Sequence, residues 1–271
     1  MRIWIDGRAG GAIDPRDRGL NYGDGVFETM RVRGRSIRLL DYHLERLHEA
    51  CGRLKIAAPS AARLRKELTR IAAQRSEAVL KLIVTRGVGA RGYRPSGRER
   101  CTRVISLSPL PRGAAAPGPA RARICAVRLG VNETLAGMKT LNRLESVLAR
   151  AEWTDAAIWE GLMRDPDDNI VGGTMSNLFV RRGSSLVTPK LDRCGVAGVM
   201  RRWVLAQARS MRLRAGEVRL RWTDLAAADE AFLTNAVAGV VPLAAIQHGR
   251  LRIRYAEQGA AGELQRRLGV P

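Results

Sequence analysis

Large aromatic residues are scarce. Phe, Trp and Tyr make up 4% of the 271 residues, so the chain lacks the stacking platform on which single-stranded nucleic acids are held. Its core must therefore pack on Leu, Val, Ile and Ala. No run of 18 or more apolar residues occurs, which excludes a membrane-spanning helix on length. Cysteine is confined to Cys51, Cys101, Cys125 and Cys194, without metal or redox spacing. Such scattered thiols suit reduced positions in a cytoplasmic protein. Acid is also deficient: 26 Asp plus Glu stand against 47 Lys plus Arg, a net charge of +21. A charge of that size invites a nucleic-acid reading, but the arginines run from Arg2 to Arg267 without a dominant cluster. They fit a positive surface that steers a small polyanionic substrate, or a plain codon preference. No nucleic-acid partner is expected.

Lysine is the least used of the charged residues. Only Lys55, Lys66, Lys81, Lys139 and Lys190 occur. Arginine cannot form a Schiff base and hardly ever deprotonates, whereas a lysine amine does both when its pKa is lowered. Lys139 closes an irregular stretch at 132–137 and precedes a helical spacing in which Leu141, Leu144 and Leu148 make one apolar stripe. The residues alone leave two readings open: an amine nucleophile and proton carrier, or a solvated charge before a helix.

The rest of the chain alternates short strands and helices. Residues 1–6 read as a strand broken by a charge, not as a signal peptide, and Asp6-Gly7 as a hairpin turn. Three glycines at 19–25 surround Tyr22 and Asp24, and serve either a tight connection or close approach to a ligand. Strand patterns cover 26–32, 79–85, 104–110, 122–127, 156–162, 177–181, 185–187 and 231–234. A helix at 41–54, with Asp41 placed to cap it, buries Leu44, Leu47, Cys51 and Leu54; His43 and Arg46 lie on another face and read as packing or surface groups. A second helix spans 61–74. The glycine-rich loop 86–93 offers Arg86, Arg91 and Tyr93 to a dicarboxylic ligand, or is a mobile surface loop. Proline and glycine crowd 109–119 and divide the chain into a small domain at 1–110, a linker at 111–120 and a larger domain at 121–271 that carries Lys139. Gly195 to Gly198 leads into a helix ending at Ala208, whose free N–H groups could meet an anion. Thr223 is placed to cap a short helix, and 251–268 holds a strand and a weak helix.

Gly-Met-Lys-Thr-Leu-Asn-Arg-Leu-Glu at 137–145 resembles the lysine segment of the aminodeoxychorismate lyases, within the fold-type IV pyridoxal-phosphate enzymes that also include branched-chain and D-amino-acid aminotransferases. The resemblance extends, in the family's order, over 21–29, 43–47, 86–93, 173–179 and 233–236. It implies a two-domain mixed α/β (α+β) fold and a homodimer. Pyridoxal 5'-phosphate would be bonded to Lys139, with Arg46 and the amides of Val199 and Met200 on the cofactor phosphate. Asn177, Asn235 and Ala236 would line the cofactor, and Tyr22, Asp24, Arg86, Arg91, Tyr93, Asn142 and Arg143 would face the substrate. Asn142 and Arg143 are similar to the lyase form of the segment. The implied reaction is loss of pyruvate from 4-amino-4-deoxychorismate to give 4-aminobenzoate for folate synthesis; a fold-type IV aminotransferase is the alternative.

One position departs from the pattern. The family's glutamate, five residues before the asparagine of Asn-Leu-Phe, keeps the cofactor's ring nitrogen protonated; Gly172 holds its place here. A weaker electron sink disfavours transamination more than an aromatising elimination, so Gly172 leans toward a lyase.

Overall fold

A computed structural model describes residues 1–111, 113, 118–256 and 259–269. Its chain divides into two units, Met1–Arg112 with Met138–Asn142, and Gly113–Gly137 with Arg143–Pro271. Within the linker expected at 111–120, Arg112 and residues 114–117 lie outside the described residues.

The first unit contains β1 (Arg2–Ile5), β2 (Arg8–Ala9), α1 (Arg18–Tyr22), β3 (Gly25–Arg33), β4 (Ser36–Ile37), α2 (Leu40–Arg53), α3 (Ala61–Ala72), β5 (Glu77–Thr85) and β6 (Arg103–Ser108). The strands form an antiparallel sheet in the order β2-β1-β6-β5-β3-β4. Alternation decides the two faces. Val26, Met30 and Val32 of β3 are buried with Leu80, Leu82 and Val84 of β5, on the face that meets α2. The amphipathic stripes of α2 and α3 supply Leu44, Leu47, Leu64 and Leu68, all buried. Ser60 caps α3 by accepting from Arg63 N.

One local expectation fails. Asp41 does not cap α2, because the helix starts one residue earlier, with Leu39 at the N-cap position in the left-handed region (φ 53°); Asp41 falls in the first turn and pairs with Arg65. The Gly19–Gly25 stretch contains a short helix, α1, whose cap is Asp17 accepting from Gly19 N.

The second unit contains β7 (Ala120–Arg128), α4 (Leu144–Arg150), β8 (Glu160–Arg164), β9 (Ile170–Gly173), β10 (Asn177–Arg182), β11 (Ser185–Pro189), α5 (Val199–Ala208), β12 (Arg214–Val218), α6 (Trp222–Ala226), β13 (Glu230–Asn235), β14 (Gly239–His248), β15 (Leu251–Arg254) and α7 (Gly259–Arg267). Its sheet runs β12-β11-β10-β13-β14-β7-β8-β9, with β15 on β14. The β14–β7, β7–β8 and β11–β12 pairs are parallel and the others antiparallel. Leu162, Ile170, Leu178, Leu233, Leu243 and Ile246 form the core. Glu230, fully buried, accepts from Ala260 N and Ala261 N and so caps the first turn of α7, while Arg181 Nε balances its charge at 2.9 Å. Thr223 lies inside α6; Arg221 is the N-cap, and Asp224 accepts from its N–H. The strand expected at 156–162 begins only at Glu160.

The segment around Lys139 differs most from its helical spacing. Phe27 N donates to Lys139 O and Leu141 N to Gly25 O, both at 3.0 Å. The antiparallel bridge Val26–Thr140 lies between these bonds. Backbone groups paired with the edge of β3 cannot also close helical turns, so α4 starts at Leu144. Its Leu144, Val147 and Leu148 are exposed by 70, 60 and 53%, and the expected stripe is not core. The same pairing explains why Lys139, late in sequence, belongs to the first unit.

Candidate active site

The antiparallel bridge puts Lys139 opposite Phe27 on the sheet face away from α2. The Lys139 ammonium lies 4.3 Å from the ring centroid of Phe27, close enough for attraction to the ring's negative face. On the opposite face of β3, Glu28 interrupts the apolar alternation and is 2% exposed. Its Oε1 accepts from Arg46 Nε at 2.8 Å, and its Oε2 accepts from Arg46 Nη2 and faces His43 Nδ1, both at 2.5 Å. Burial alone would raise the Glu28 pKa, but the Arg46 charge and the bonds from His43 and Arg46 outweigh it and hold the carboxyl at about 2. Burial lowers the His43 pKa against the pull of Glu28, and the Arg46 and Lys139 charges lower it further. His43 is therefore a neutral donor to an ionised Glu28, and its buried Nε2 has no hydrogen-bond partner among the described residues. The forked guanidinium of Arg46 is held at a fixed angle by a bidentate pair.

Beside this cluster the loop after β5 is tied down from below. Arg18, 3% exposed, donates through Nε to Asp24 (2.9 Å), through Nη1 to Gly92 O and through Nη2 to Tyr93 O (both 2.8 Å). Arg86 grips Asp24 through Nε (2.7 Å) and reaches Leu54 O and Lys55 O, which end α2. Burial pushes the Asp24 carboxyl up, but the bonds from Arg86 and Arg18 overcome it and hold the pKa below the usual range. Asp24 and Arg86 thus form a clamp under the loop. Tyr22 accepts from Gly92 N at 3.0 Å and meets Tyr93 edge-on, with ring centroids 5.5 Å apart. Tyr93 and Arg91 stand exposed. Asn142 is exposed as well and packs against Gly23, where a β-carbon would lie 2.2 Å from Asn142 Oδ1.

In the second unit, Asn177 and Thr234 are register partners on β10 and β13. Asn177 donates to Val196 O (2.8 Å) and accepts from Gly198 N (3.1 Å), which pins the turn before α5. Gly198 is required there: a β-carbon would fall 2.1 Å from Asn177 Oδ1. Gly198 is also the N-cap of α5, so no side chain caps the helix, and the amides of Val199 and Met200 point out of its positive end. The Thr234 hydroxyl is buried without a hydrogen-bond partner among the described residues. Asn235 accepts from Val237 N and Ala238 N in the turn after β13, which carries Ala236. A glycine-walled turn, an uncapped helix start and an orphaned hydroxyl suit a phosphate. Gly137 is tied to the same turn, donating to Gly195 O and accepting from Ala197 N. Arg143 sits at the N-cap of α4 and is half-buried, and burial lowers its pKa.

Gly172 lies in β9, where a β-carbon would meet Ser176 O at 3.0 Å. A carboxylate missed in the sequence stands nearby. Glu160, fully buried, takes bonds from Gly161 N and the Thr174 N–H and hydroxyl on one oxygen, and from Met175 N and the Ser176 hydroxyl on the other. Burial pushes its pKa up against those bonds. Its acceptors serve the turn between β9 and β10. Glu28 was also missed, although a carboxylate in the Val26-Met30-Val32 alternation is the signature of a buried, partnered charge. Arg18 carried no such signal.

These features match a known family. The family model for amino-transferase class IV matches residues 25–246. The chain belongs to the class IV aminotransferases. Members of this family use pyridoxal phosphate, and the fold is the two-domain, mixed α/β fold-type IV architecture. The chain is similar to a crystal structure of 4-amino-4-deoxychorismate lyase from Pseudomonas aeruginosa, with 43% identity, a TM-score of 0.90 and coverage of 98% of this chain and 97% of that one. It is 32% identical to aminodeoxychorismate lyase of Vibrio harveyi, across 98% of this chain and 97% of the relative. It is 30% identical to a putative branched-chain-amino-acid aminotransferase of Methanocaldococcus jannaschii, over 90% and 87% of the two chains. No helix among the described residues is long and apolar enough to cross a membrane.

Proposed function

We propose that the protein is an aminodeoxychorismate lyase, which converts 4-amino-4-deoxychorismate into 4-aminobenzoate and pyruvate for folate synthesis. The observation that carries this reading is the near-complete, 43% identical match to the Pseudomonas aeruginosa lyase. The segment Lys139–Asn142–Arg143 supports it.

In this reading Lys139 Nζ is the amine that holds the cofactor. Arg46, aimed by Glu28, the amides of Val199 and Met200, and Asn235 with Ala236 hold its phosphate, and Asn177 keeps the phosphate turn in shape. Pyridoxal phosphate supplies an aldehyde that bonds to amines and a ring that draws electrons from the carbon bearing that amine. With the cofactor held by the substrate amine, Lys139 would be left as a free base for the substrate carbon. It takes the proton from that carbon and returns one to the departing product. The enolpyruvyl carbon–oxygen bond breaks, the ring becomes aromatic, and the atoms of the substrate are shared between 4-aminobenzoate and pyruvate. Asn142, Arg143, Tyr22, Arg91 and Tyr93 face the substrate, and Asp24 and Arg86 hold that surface in place. The absence of a carboxylate at Gly172 favours this elimination over transamination.

The reading includes a cytoplasmic homodimer. The exposed Leu144, Val147 and Leu148 of α4 suit a face buried by a second copy. The 30% identical Methanocaldococcus jannaschii relative supports a second reading, a branched-chain aminotransferase. Borohydride reduction followed by peptide mapping is the first test: the pyridoxyl label belongs on Lys139 and disappears in Lys139→Ala. A label elsewhere, or none, removes the assignment. Stoichiometry then separates the readings, because the lyase releases pyruvate from aminodeoxychorismate without a keto-acid acceptor, whereas an aminotransferase requires one.

A further inference from the structure

The second unit holds a cavity of about 320 Å³ that is lined by none of the residues assigned above to cofactor or substrate. It lies where β8 and β14 end and β9 and α6 begin. Register builds it. Arg164 and Ile170 are partners across β8 and β9, and Ile170 N donates to Leu220 O at 2.7 Å. That bond brings the next two residues, Arg221 and Trp222, to the same strand ends. β14 runs parallel to β7 with Gln247 opposite Arg123, so His248 and Ile124 follow side by side.

The floor of the cavity is apolar and its wall is flat. Ile124 and Ile170 are buried. The Trp222 indole meets the His248 ring at 61°, with centroids 5.3 Å apart. Burial and the Arg164 charge lower the His248 pKa, so near neutral pH that ring adds no charge. The charge comes from arginine. Asp168 accepts from Arg164 Nη1 at 2.7 Å and from Arg128 Nη2 at 2.8 Å, so one carboxylate faces two guanidinium groups. The Arg128 bond and the charges of Arg128, Arg164 and Arg221 hold the Asp168 carboxyl below its usual range. The buried Nε of Arg164 has no hydrogen-bond partner among the described residues. Arg221 is exposed and makes no ion pair among them. The cavity thus keeps a surplus of positive charge beside an aromatic wall.

We propose that this cavity is a second binding site, for a single-ring aromatic carboxylate, with the ring against Trp222 and Ile170 and the carboxylate on Arg164 and Arg221. Indole and ligand ring gain from offset or edge-on packing, and guanidinium groups take carboxylate oxygens in charge-assisted bonds. The space is sufficient, since a cavity of about 150 Å³ already holds a benzene. The product of the lyase reading, 4-aminobenzoate, belongs to this ligand class, but the site itself does not rest on that reading.

Calorimetric titration of the cofactor-loaded protein with benzoate is the test. Arg221→Leu should weaken binding by about tenfold or more, through loss of a charge-assisted contact. Trp222→Leu should weaken it by about three- to tenfold, through loss of ring packing. Arg221→Lys should recover part of the affinity, and the cofactor absorbance should be the same in every variant. Because Arg221 is exposed, its replacement tests the site without disturbing the core. Cyclohexanecarboxylate has the same charge but no flat ring, and should bind about three- to tenfold more weakly than benzoate. Inorganic phosphate, with no ring at all, should bind more weakly still. Wild-type benzoate affinity in both Arg221→Leu and Trp222→Leu overturns the proposal and assigns the binding to another site. No binding of benzoate to the wild-type protein overturns it too. Phosphate or cyclohexanecarboxylate held as tightly as benzoate removes the aromatic class, and the proposal with it.

Discussion

In the proposed function Arg46 has two tasks at once, as a fork for phosphate and as the counter-ion for Glu28, a carboxylate that burial would otherwise neutralise. Removing it should therefore have two separable effects. Arg46→Met should weaken pyridoxal phosphate binding by about ten- to a hundredfold, the loss of a charge-assisted contact. It should also destabilise the fold by about 3–5 kcal/mol, because Glu28 is left buried and unpaired. Adding Glu28→Gln should restore most of the stability, read by urea unfolding, without restoring cofactor affinity; recovery of both would mean that Arg46 acts only through Glu28. At Gly172 the expected change is in reaction type. Gly172→Glu returns the carboxylate that the family pattern places there, at some steric cost against Ser176 O. It should speed conversion of the bound cofactor by an added amino acid, followed by absorbance, relative to pyruvate release. An unchanged ratio would count against Gly172 as a determinant of the choice.

The elements around the site are braced by polar side chains that cross between them. Arg18 of α1 is the clearest case, joining Asp24 to the backbone of Gly92 and Tyr93. Arg18→Leu should release the 86–102 loop, seen as faster amide exchange there. It should raise KM for the substrate by about tenfold, since three bonds to a charged group are lost, while cofactor affinity holds. A loop that stays protected would show that Arg86 and Tyr22 suffice. For α4 the question is what covers an apolar face. Leu144→Asp with Leu148→Asp should convert a dimer to monomers in light scattering without unfolding the subunit, because both side chains are exposed within it. A dimer that survives both changes places the interface elsewhere.

Two buried groups, Glu28 and His43, should each cost the molecule stability as it is acidified, against the opposite contribution of Glu160, whose pKa burial raises. Glu28 has a folded-state pKa of about 2 against an ordinary 4.5. Its contribution is present above 4.5 and is lost as the pH falls toward 2. His43 is also depressed, below 6.5. The unfolded chain takes up that proton first, so stability declines as the pH falls below 6.5 through the folded value. Urea midpoints measured from pH 8 to pH 2 should fall in two stages, and His43→Gln should remove the earlier one. A His43→Gln variant whose midpoint follows the wild-type curve between pH 8 and pH 5 would contradict the direction given for His43.

Much of the fold is legible along the chain. The alternation at 26–32 and 79–85, the stripe at 44–51 and the helix expected from residue 61 depend on local patterning and survive folding. The chemistry proposed for the site came from the family resemblance of ordered segments around Arg46, Lys139 and Asn177; residue types alone left Lys139 open between a nucleophile and a solvated charge and Arg46 as a packing or surface group. What the sequence could not decide were matters of pairing over long separations. Helical spacing after Lys139 was overruled because its backbone bonds to β3, more than 100 residues earlier. That pairing set Lys139 beside Phe27. Arg18 looked like any surface arginine until the loop at 92–93 folded over it. Residue identity fixed which chemistry was possible, and only tertiary structure, by choosing which distant backbones hydrogen-bond, decided which side chains meet to perform it.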